Sequence, residues 1–194
     1  MTAVFATSYF PSLYYLKALC EAENPIIDLG EHYKKQTERT RVNFMTSNGI
    51  SRLSIPVIRP FGNKTATKDV QISFAENWKR NHCRSIEAAY ASSPYFEHYA
   101  NEVFELINSN ISSLHEFNHS ILIKIINWLE LPINLNYSKK YIENLIEDYR
   151  EFNFHYAPLK YKQVDFGQIE FLDKVSVLDA LFCLGPMTRK LIII

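Results

Sequence analysis

The sequence is poor in the residues that build several common kinds of site. It has only five glycines and three cysteines among 194 residues. No GxGxxG or GxxxxGK[ST] segment occurs, so a Gly-rich phosphate-binding loop is not visible and a standard nucleotide-binding fold is disfavoured. Cys20, Cys83 and Cys183 lie far apart and form no CxxC pair. This pattern argues against a disulfide framework or a zinc knuckle and favours a reducing cytoplasm.

An excess of charge of one sign is also missing. The chain has 21 basic and 21 acidic residues and a formal net charge of zero. No overall field therefore concentrates nucleic acid or anionic membrane, and we expect no general nucleic-acid binding. Uninterrupted apolar runs of about 18 residues are absent, and MTAVFATSYFPS at the start lacks the features of a signal peptide. These observations predict a cytoplasmic protein without a membrane span.

Aromatic side chains, in contrast, are abundant. The chain has 12 Tyr and 13 Phe, within a composition of 47% hydrophobic and 22% charged residues. That balance is typical of a globular protein, and the length suits one domain covering residues 1–194. The aromatic residues favour a thick core, and also ligand pockets whose flat apolar walls carry polar groups.

The first third of the chain has the periodicity of strands. An apolar run over residues 3–9, a helix beginning near Tyr14 and a second apolar run over 26–29 give a β-α-β start, which favours a parallel sheet. Polar and apolar residues alternate over residues 37–45, and the Asn48-Gly49 step predicts a hairpin turn before a returning strand.

The remainder favours helices. Apolar residues recur every three or four positions over residues 78–90, 94–107, 113–129 and 138–149. Ser93 is predicted to cap the second of these helices, and Ser176 with Asp179 to form a capping box for a last helix that Gly185 ends. We therefore predict a mixed α/β fold in one compact domain. Its strand-rich N-terminal part has a β-α-β start and a hairpin, and a helical segment follows.

One short motif has the form of a zinc site. HEFNH, from His115 to His119, places two histidines one helical turn apart, where both could bind zinc while Glu116 polarises a water molecule. Glu143 or Glu147 would be the third ligand if the next helix folds back. The alternative is a helix face without metal.

A second candidate site is the basic stretch HYKKQTERTR, residues 32–41. On a strand, Arg39 and Arg41 would project from one face, where paired guanidinium groups can bind a carboxylate or phosphate. Lys35 and Gln36 would complete this anion site. The alternative is a solvated strand face whose charge Glu38 partly compensates.

A third candidate is the pair formed by Trp78 and His82, which lie one helical turn apart. The imidazole would serve as a general base beside the indole, or both side chains would belong to the core.

Several segments resemble the WbqC-like family of bacterial proteins. They span almost the whole chain and read YFPS (9–12), EHYKKQTERTR (31–41), SNGISRLSIPV (47–57), NWKRNHCRSIEAAYASSPYFEHY (77–99) and VSVLDALFCLGP (175–186). Two departures are visible. Thr7-Ser8 stands where many members have Gln-Pro, and the HEFNH region fits the family pattern Leu-x-acid-Phe-Asn, in which the two histidines are incidental.

The resemblance implies a cytoplasmic protein associated with the synthesis of O-antigen or another surface polysaccharide. It also implies a transferase of glycine-type aminoacyl or other acyl groups onto a sugar or sugar nucleotide, and it leaves the cofactor unknown. In that interpretation His32 or His82 is the general base, and the substrate is bound by a set of polar and aromatic residues. This set comprises Lys35, Gln36, Arg39, Arg41, Trp78, Tyr161 and Gln163. A non-catalytic binding or scaffold protein of the same pathway is the alternative, and a zinc hydrolase using HEFNH is a third hypothesis.

Overall fold

The computed structural model describes residues 2–143, 147–165, 167 and 171–193. The chain begins with strand β1 (Thr2–Phe5), helix α1 (Leu13–Glu21) and strand β2 (Asn24–Asp28). The two strands pair in parallel, with Phe5 opposite Ile27. Helix α1 starts where the Ser12 hydroxyl accepts a hydrogen bond from the Tyr15 backbone N–H at 3.3 Å, as expected of an N-cap. The predicted β-α-β start is therefore confirmed.

A hairpin follows. Strands β3 (Arg41–Thr46) and β4 (Gly49–Ser54) pair antiparallel, and Gly49 adopts the positive φ of 97° that the turn requires. The strand was predicted to begin at residue 37, but residues 37–40 form a turn, because the N–H groups of Thr40 and Arg41 both donate to the Thr37 carbonyl at 3.2 Å. A second, shorter antiparallel pair consists of β5 (Val57–Ile58) and β6 (Gln71–Ile72).

Three of the predicted helices are confirmed: α2 (Trp78–Tyr90), α3 (Phe96–Asn108) and α4 (Leu114–Trp128). Each buries its stripe of apolar side chains against a common core. Ser93 does not provide the predicted cap for α3. Its backbone carbonyl accepts from the Phe96 N–H at 3.1 Å, and the residue before α3, Tyr95, makes no side-chain cap hydrogen bond.

The helix predicted over residues 138–149 is wrong. Two short strands lie there instead, β7 (Asn136–Ser138) and β8 (Glu147–Tyr149), and Leu145 and Ile146 fall outside the described residues. β7 pairs with β2 and β8 pairs with β1, both in parallel. Pairing with strands that lie more than a hundred residues earlier in the sequence thus overrides the local helical periodicity.

The chain ends with α5 (Val177–Leu184), a 3₁₀ turn over residues 185–188 and α6 (Arg189–Ile192). Ser176 caps α5 as predicted, and Gly185 ends it at a φ of 57°. The predicted capping-box role of Asp179 is wrong, because its carboxylate accepts from the hydroxyls of Tyr90 and Tyr161 instead. Nowhere in the described part of the chain is a helix both long and apolar enough to cross a membrane.

The strand order of the parallel sheet is β7-β2-β1-β8. Strand β2, which follows β1 in the chain, pairs on one side of β1, and the last strand, β8, pairs on the other side of β1. The loops that follow β1 and β8 therefore diverge, which creates a crevice beyond the carboxyl ends of these two strands. Open α/β sheets bind ligands at such a point of reversal.

Candidate functional site at the carboxyl edge of the parallel sheet

A cavity of about 530 Å³ opens beyond the carboxyl ends of β2 and β8. We call it the carboxyl-edge cleft. Its walls are the loop that follows β2 and the segment that begins in β8. The lining residues are Gly30, Glu31, His32, Lys34, Tyr141, Asp148, Arg150 and Glu151. Most of these lining residues carry charged or hydrogen-bonding groups.

Asp28, the last residue of β2, organises one wall of this cleft. One oxygen of its buried carboxylate accepts from the backbone N–H groups of Gly30 and Glu31, at 2.8 and 3.1 Å. The other accepts from the Arg150 guanidinium at 2.7 Å and from the Ile142 N–H at 3.2 Å. One side chain thus holds three chain segments together at the edge of the sheet.

Gly30 is where two of these segments approach each other most closely. A Cβ atom on Gly30 would lie only 2.2 Å from the Tyr141 backbone nitrogen. Any larger residue would push backbone against backbone, so this wall requires glycine.

Arg150 forms the opposite wall. Its guanidinium donates to Asp28 and Asp148 and lies 4.6 Å from the centre of the Tyr141 ring. Hydrogen bonds to Asp148 are the largest influence on the Arg150 pKa, which they raise above its ordinary value. Arg150 is consequently a fixed cation whose position two carboxylates determine.

Behind this wall lies a second ion pair, in which Arg39 is fully buried and Glu31 is nearly so. Arg39 donates from Nε and Nη2 to the two carboxylate oxygens of Glu31, at 2.8 and 2.7 Å. Nη2 also donates to the Arg150 carbonyl at 2.8 Å, and the guanidinium lies 5.3 Å from the centre of the Phe152 ring. The pair therefore fixes both the loop after β2 and the segment after β8.

A second cavity, of about 450 Å³, lies at the crevice between the loops that follow β1 and β8. We call it the Glu38 groove. Its lining residues are Ser12, Tyr14, Glu38, Asn43, Phe152, Asn153, Phe154, His155, Tyr156, Asp173 and Lys174. Burial raises the pKa of Glu38 from 4.5 to about 7. A carboxyl group in this groove can therefore take up and release a proton near neutral pH.

Aromatic rings attach the groove to the sheet. The rings of Tyr14 and Tyr156 lie parallel at a centroid distance of 6.0 Å, and the Tyr14 hydroxyl is hydrogen bonded to Asp173. Phe154 stacks on Tyr149 of β8 at 5.5 Å. The residues after β8 are thus packed as a wall beside the start of α1.

The cleft and the groove share this wall. Arg150 and Glu151 face the cleft, and the next residues of the chain, Phe152–Tyr156, face the groove. Arg39 contacts both parts, through the Arg150 carbonyl and the Phe152 ring. The carboxyl edge of the sheet therefore carries two adjoining cavities.

The family model described as the WbqC-like protein family matches residues 7–152, which are more than half of the chain. They include every lining residue of the carboxyl-edge cleft and five of the eleven that line the Glu38 groove. This chain belongs to the WbqC-like protein family. No curated protein and no solved structure matches it.

Only part of the basic stretch predicted to bind substrate faces these cavities in the WbqC-like chain. His32 lines the carboxyl-edge cleft, together with Lys34. Lys35 and Gln36 are exposed and line neither cavity, and Gln36 has a positive φ of 63° in the turn. Their substrate-binding role stays a prediction.

Arg39 and Arg41 do not form a pair of outward-facing guanidinium groups. Arg39 precedes the strand, is 0% exposed and is engaged by Glu31, whereas Arg41 is the first residue of β3 and donates to the Gln36 carbonyl at 3.2 Å. The prediction that Arg39 and Arg41 project from one face of a strand is therefore wrong, because the turn at residues 37–40 directs the two side chains differently.

His82 and Trp78 belong to the core of this WbqC-like protein. The His82 Nδ1 is 2.9 Å from the Tyr9 hydroxyl, and the Trp78 indole N–H donates to the Ser73 carbonyl at 3.1 Å. Burial lowers the pKa of His82 from 6.5 to about 4, so its ring is neutral at pH 7. His82 lines neither cavity. Its role as a general base stays a prediction.

Tyr161 and Gln163 surround Asp179. The Tyr161 hydroxyl and the Gln163 amide donate to the Asp179 carboxylate at 2.6 and 3.0 Å, and the Tyr90 hydroxyl donates at 2.9 Å. Burial raises the pKa of Asp179, and these donors oppose that shift. The cluster connects the segment before α5 to the core and is separate from both cavities. Substrate binding by Tyr161 and Gln163 stays a prediction.

The HEFNH segment forms the first turns of α4. Its central residues face inward: Phe117 stacks against Tyr9, and the Asn118 amide donates to the Arg39 carbonyl at 2.9 Å. His119 Nδ1 lies 2.5 Å from the Tyr137 hydroxyl. Glu147 lies in β8 and Glu143 in the connection before it, not in the helix expected to supply a third ligand.

Throughout residues 2–143, 147–165, 167 and 171–193, no group of three or more His, Cys, Asp or Glu side chains is arranged to hold a metal ion. The zinc hypothesis, which included His115 and Glu116, therefore has no structural support in that part of the chain.

Asp28, Arg150 and Glu38 are the site residues that sequence reasoning missed. A charged residue at the carboxyl end of a buried strand was a usable signal for Asp28, since ligand sites of parallel sheets lie there. Arg150 has no such signal, because the periodicity of residues 138–149 predicts a helix and hides the strand β8 that ends just before it. Glu38 stands between Thr37 and Arg39, where it was interpreted as a charge partner of arginines.

Proposed function

We propose that this WbqC-like protein transfers an amino-acid or other acyl group onto a sugar or sugar nucleotide of a surface polysaccharide, at the carboxyl edge of its parallel sheet. The observation that carries the proposal is the pair of adjoining cavities of about 530 and 450 Å³. A group transfer requires two reactants held side by side, and cavities of this size each accommodate a small organic molecule.

The charges of the carboxyl-edge cleft favour a ligand rich in hydrogen-bonding groups. Arg150 is neutralised by Asp28 and Asp148, Glu31 by Arg39, and Lys34 by Glu151. Such ion pairs still have free hydrogen-bond donors and acceptors, which the hydroxyl groups of a sugar require. Because the charges cancel, the cleft has no strong electrostatic attraction for either cations or anions. His32 adds an imidazole that can donate or accept. We propose that His32 contacts the ligand directly.

The fixed geometry of this edge supports a catalytic rather than a purely adhesive role. Asp28, Arg39 and Arg150 connect the walls through hydrogen bonds that are enclosed by the protein. Reacting groups gain most from a site whose walls do not reorganise during the reaction. A scaffold protein gains little from a rigid, two-part cavity of this kind.

The test is a transfer assay with purified protein. Amino-sugar and neutral sugar nucleotides are incubated with acyl donors of three classes: an amino acid with ATP, an aminoacyl ester and an acyl thioester. Mass spectrometry then detects an acylated sugar. We expect one combination to give product. We also expect His32→Ala to raise KM for the sugar substrate at least about tenfold.

The matched control is His98→Ala, which removes an exposed histidine from α3, outside both cavities. It should leave kcat and KM unchanged. Binding of sugar nucleotides without turnover of any donor would instead identify the chain as a binding protein of the pathway.

A further inference from the structure

Glu38 has an unusual position among the acidic residues of this chain. Its side chain lines the Glu38 groove and also a narrower cavity beside it, which Ser12, Asn43 and Lys174 line as well. Its carboxylate makes no hydrogen bond or ion pair with any described residue. By comparison, Asp28, Glu31, Asp148 and Asp179 all have hydrogen-bond donors.

The other charged and titratable groups on the two cavities leave Glu38 unpaired. These groups are Arg41, Lys174, Asp173, Tyr14, His155 and Tyr156, whose hydroxyl donates to Glu21. Arg41 donates to the Gln36 carbonyl, and Tyr14 is bonded to Asp173. Burial is accordingly the cause of the raised Glu38 pKa of about 7. A carboxyl group of this kind is half ionised near neutral pH, which is the condition that favours proton transfer in both directions.

The backbone around Glu38 is held on both sides. The Glu38 carbonyl accepts from the Tyr9 N–H at 2.8 Å, which attaches it to the loop after β1. The next residue, Arg39, is fixed by Glu31 through its side chain and by Asn118 through its carbonyl. The turn at residues 37–40 therefore presents the carboxylate from a rigid support, as a reacting group requires.

We infer that Glu38 is the general base of the transfer. Its carboxylate contacts the reacting O–H or N–H group of the acceptor, which extends from the carboxyl-edge cleft into the adjoining Glu38 groove. This inference rests on the proposed function. The acceptor's O–H or N–H bond breaks, and its proton moves to a Glu38 carboxylate oxygen. The freed electron pair forms the bond to the acyl carbon of an activated ester, thioester or anhydride. The bond from that carbon to the leaving group then breaks, and the leaving group receives the proton from Glu38.

The position of the N-terminus of α1 supports a transfer reaction beside Glu38. Ser12, its N-cap, lines both cavities, so the positive end of the helix dipole lies beside the same space. Negative charge develops on the acyl oxygen as the acceptor attacks, and a helix N-terminus stabilises such charge.

The decisive variant is Glu38→Gln, which keeps the shape of the side chain but cannot accept the proton. With the donor and sugar that the wild type uses, we expect kcat to fall about 10²- to 10⁴-fold with an unchanged fold by circular dichroism. Wild-type kcat/KM should rise with pH and level off above about pH 7, whereas the residual rate of Glu38→Gln should not depend on pH in this range. Glu38→Asp, which retains a carboxylate, should recover part of the rate.

The matched control is Glu105→Gln, which removes an exposed carboxylate from α3 and should match the wild type. If the wild type is active and Glu38→Gln is equally active, with the same pH profile, the role of Glu38 is refuted and the proposed function stands. If the wild type transfers nothing from any donor class, the proposed function itself is refuted, and the role of Glu38 with it.

Discussion

Arg39 and Glu31 form a two-point ion pair, with N···O distances of 2.8 and 2.7 Å, that has no contact with solvent on the arginine side. The pair lies behind the wall shared by the two cavities. Removing one partner leaves a buried charge without compensation, which is far more costly than the loss of a surface ion pair.

We therefore expect Arg39→Ala to lower the free energy of unfolding by about 3–5 kcal/mol in urea denaturation. The double variant Arg39→Met with Glu31→Leu should lose less than Arg39→Ala alone, because it leaves no unpaired charge. Arg41→Ala, the control at the edge of the same turn, should change stability by about 0.5 kcal/mol or less. Equal losses for Arg39→Ala and Arg41→Ala would contradict the enclosed pair.

Gly30→Ala tests the close contact between the loop after β2 and residues 140–141. Its added Cβ would lie 2.2 Å from a backbone nitrogen, so the two segments must separate. We expect a loss of at least about 2 kcal/mol in the free energy of unfolding. Gly49→Ala has a strained φ but open space, and should cost only about 1 kcal/mol. A smaller loss for Gly30→Ala than for Gly49→Ala would refute this packing.

How much of this architecture the sequence predicts depends on the range of the interactions. The β-α-β start, the hairpin at Asn48-Gly49 and the helices α2 to α4 follow from local periodicity and turn chemistry. Strands β7 and β8 are three residues long, and only their pairing with distant strands defines them. Sequence reasoning cannot find them for that reason.

The site was less predictable than the fold. The sequence places Glu38 beside Arg39 and Arg41, and adjacent opposite charges suggest mutual compensation. The turn at residues 37–40 instead directs Arg39 to Glu31 and leaves Glu38 in the groove. Side-chain direction in an irregular turn depends on tertiary contacts, such as the Tyr9–Glu38 backbone hydrogen bond, that periodicity does not contain.

The buried imidazole of His82 predicts a loss of stability in acid. Its pKa is about 4 in the folded protein and near 6.5 when unfolded, so the unfolded state binds the proton more readily. The stability contributed by neutral His82 is present above about pH 6.5 and is lost as the pH falls toward 4, by about 3 kcal/mol in total.

This part of the pH dependence should be missing in His82→Gln, whose amide can still bond to Tyr9. The measurement is urea denaturation at intervals between about pH 7 and pH 4. His98→Gln, an exposed control, should keep the wild-type slope. An unchanged slope in His82→Gln would show that the ring is not a buried neutral base.

For Glu38 we predict a pH dependence of stability opposite in sign to that of His82. Its pKa is raised from 4.5 to about 7, so the folded state holds the proton and its contribution is lost as the pH rises through that range. Glu38→Gln should therefore be more stable than the wild type at about pH 8, by roughly 1–3 kcal/mol, and no more stable at about pH 4. Such a gain, combined with lost activity, is typical of a group kept for function at a cost in stability. A Glu38→Gln variant less stable than the wild type at about pH 8 would count against an unpaired carboxylate.

The binding site itself is tested most directly by mapping amide chemical shifts of ¹⁵N-labelled protein during titration with a panel of sugar nucleotides. We predict that the largest changes fall in residues 30–34 and 148–156, on the walls of the carboxyl-edge cleft and the Glu38 groove. A saturable titration whose changes fall instead on the β3–β4 hairpin or on α3, with residues 30–34 and 148–156 unaffected, would contradict a substrate site at the carboxyl edge of the sheet.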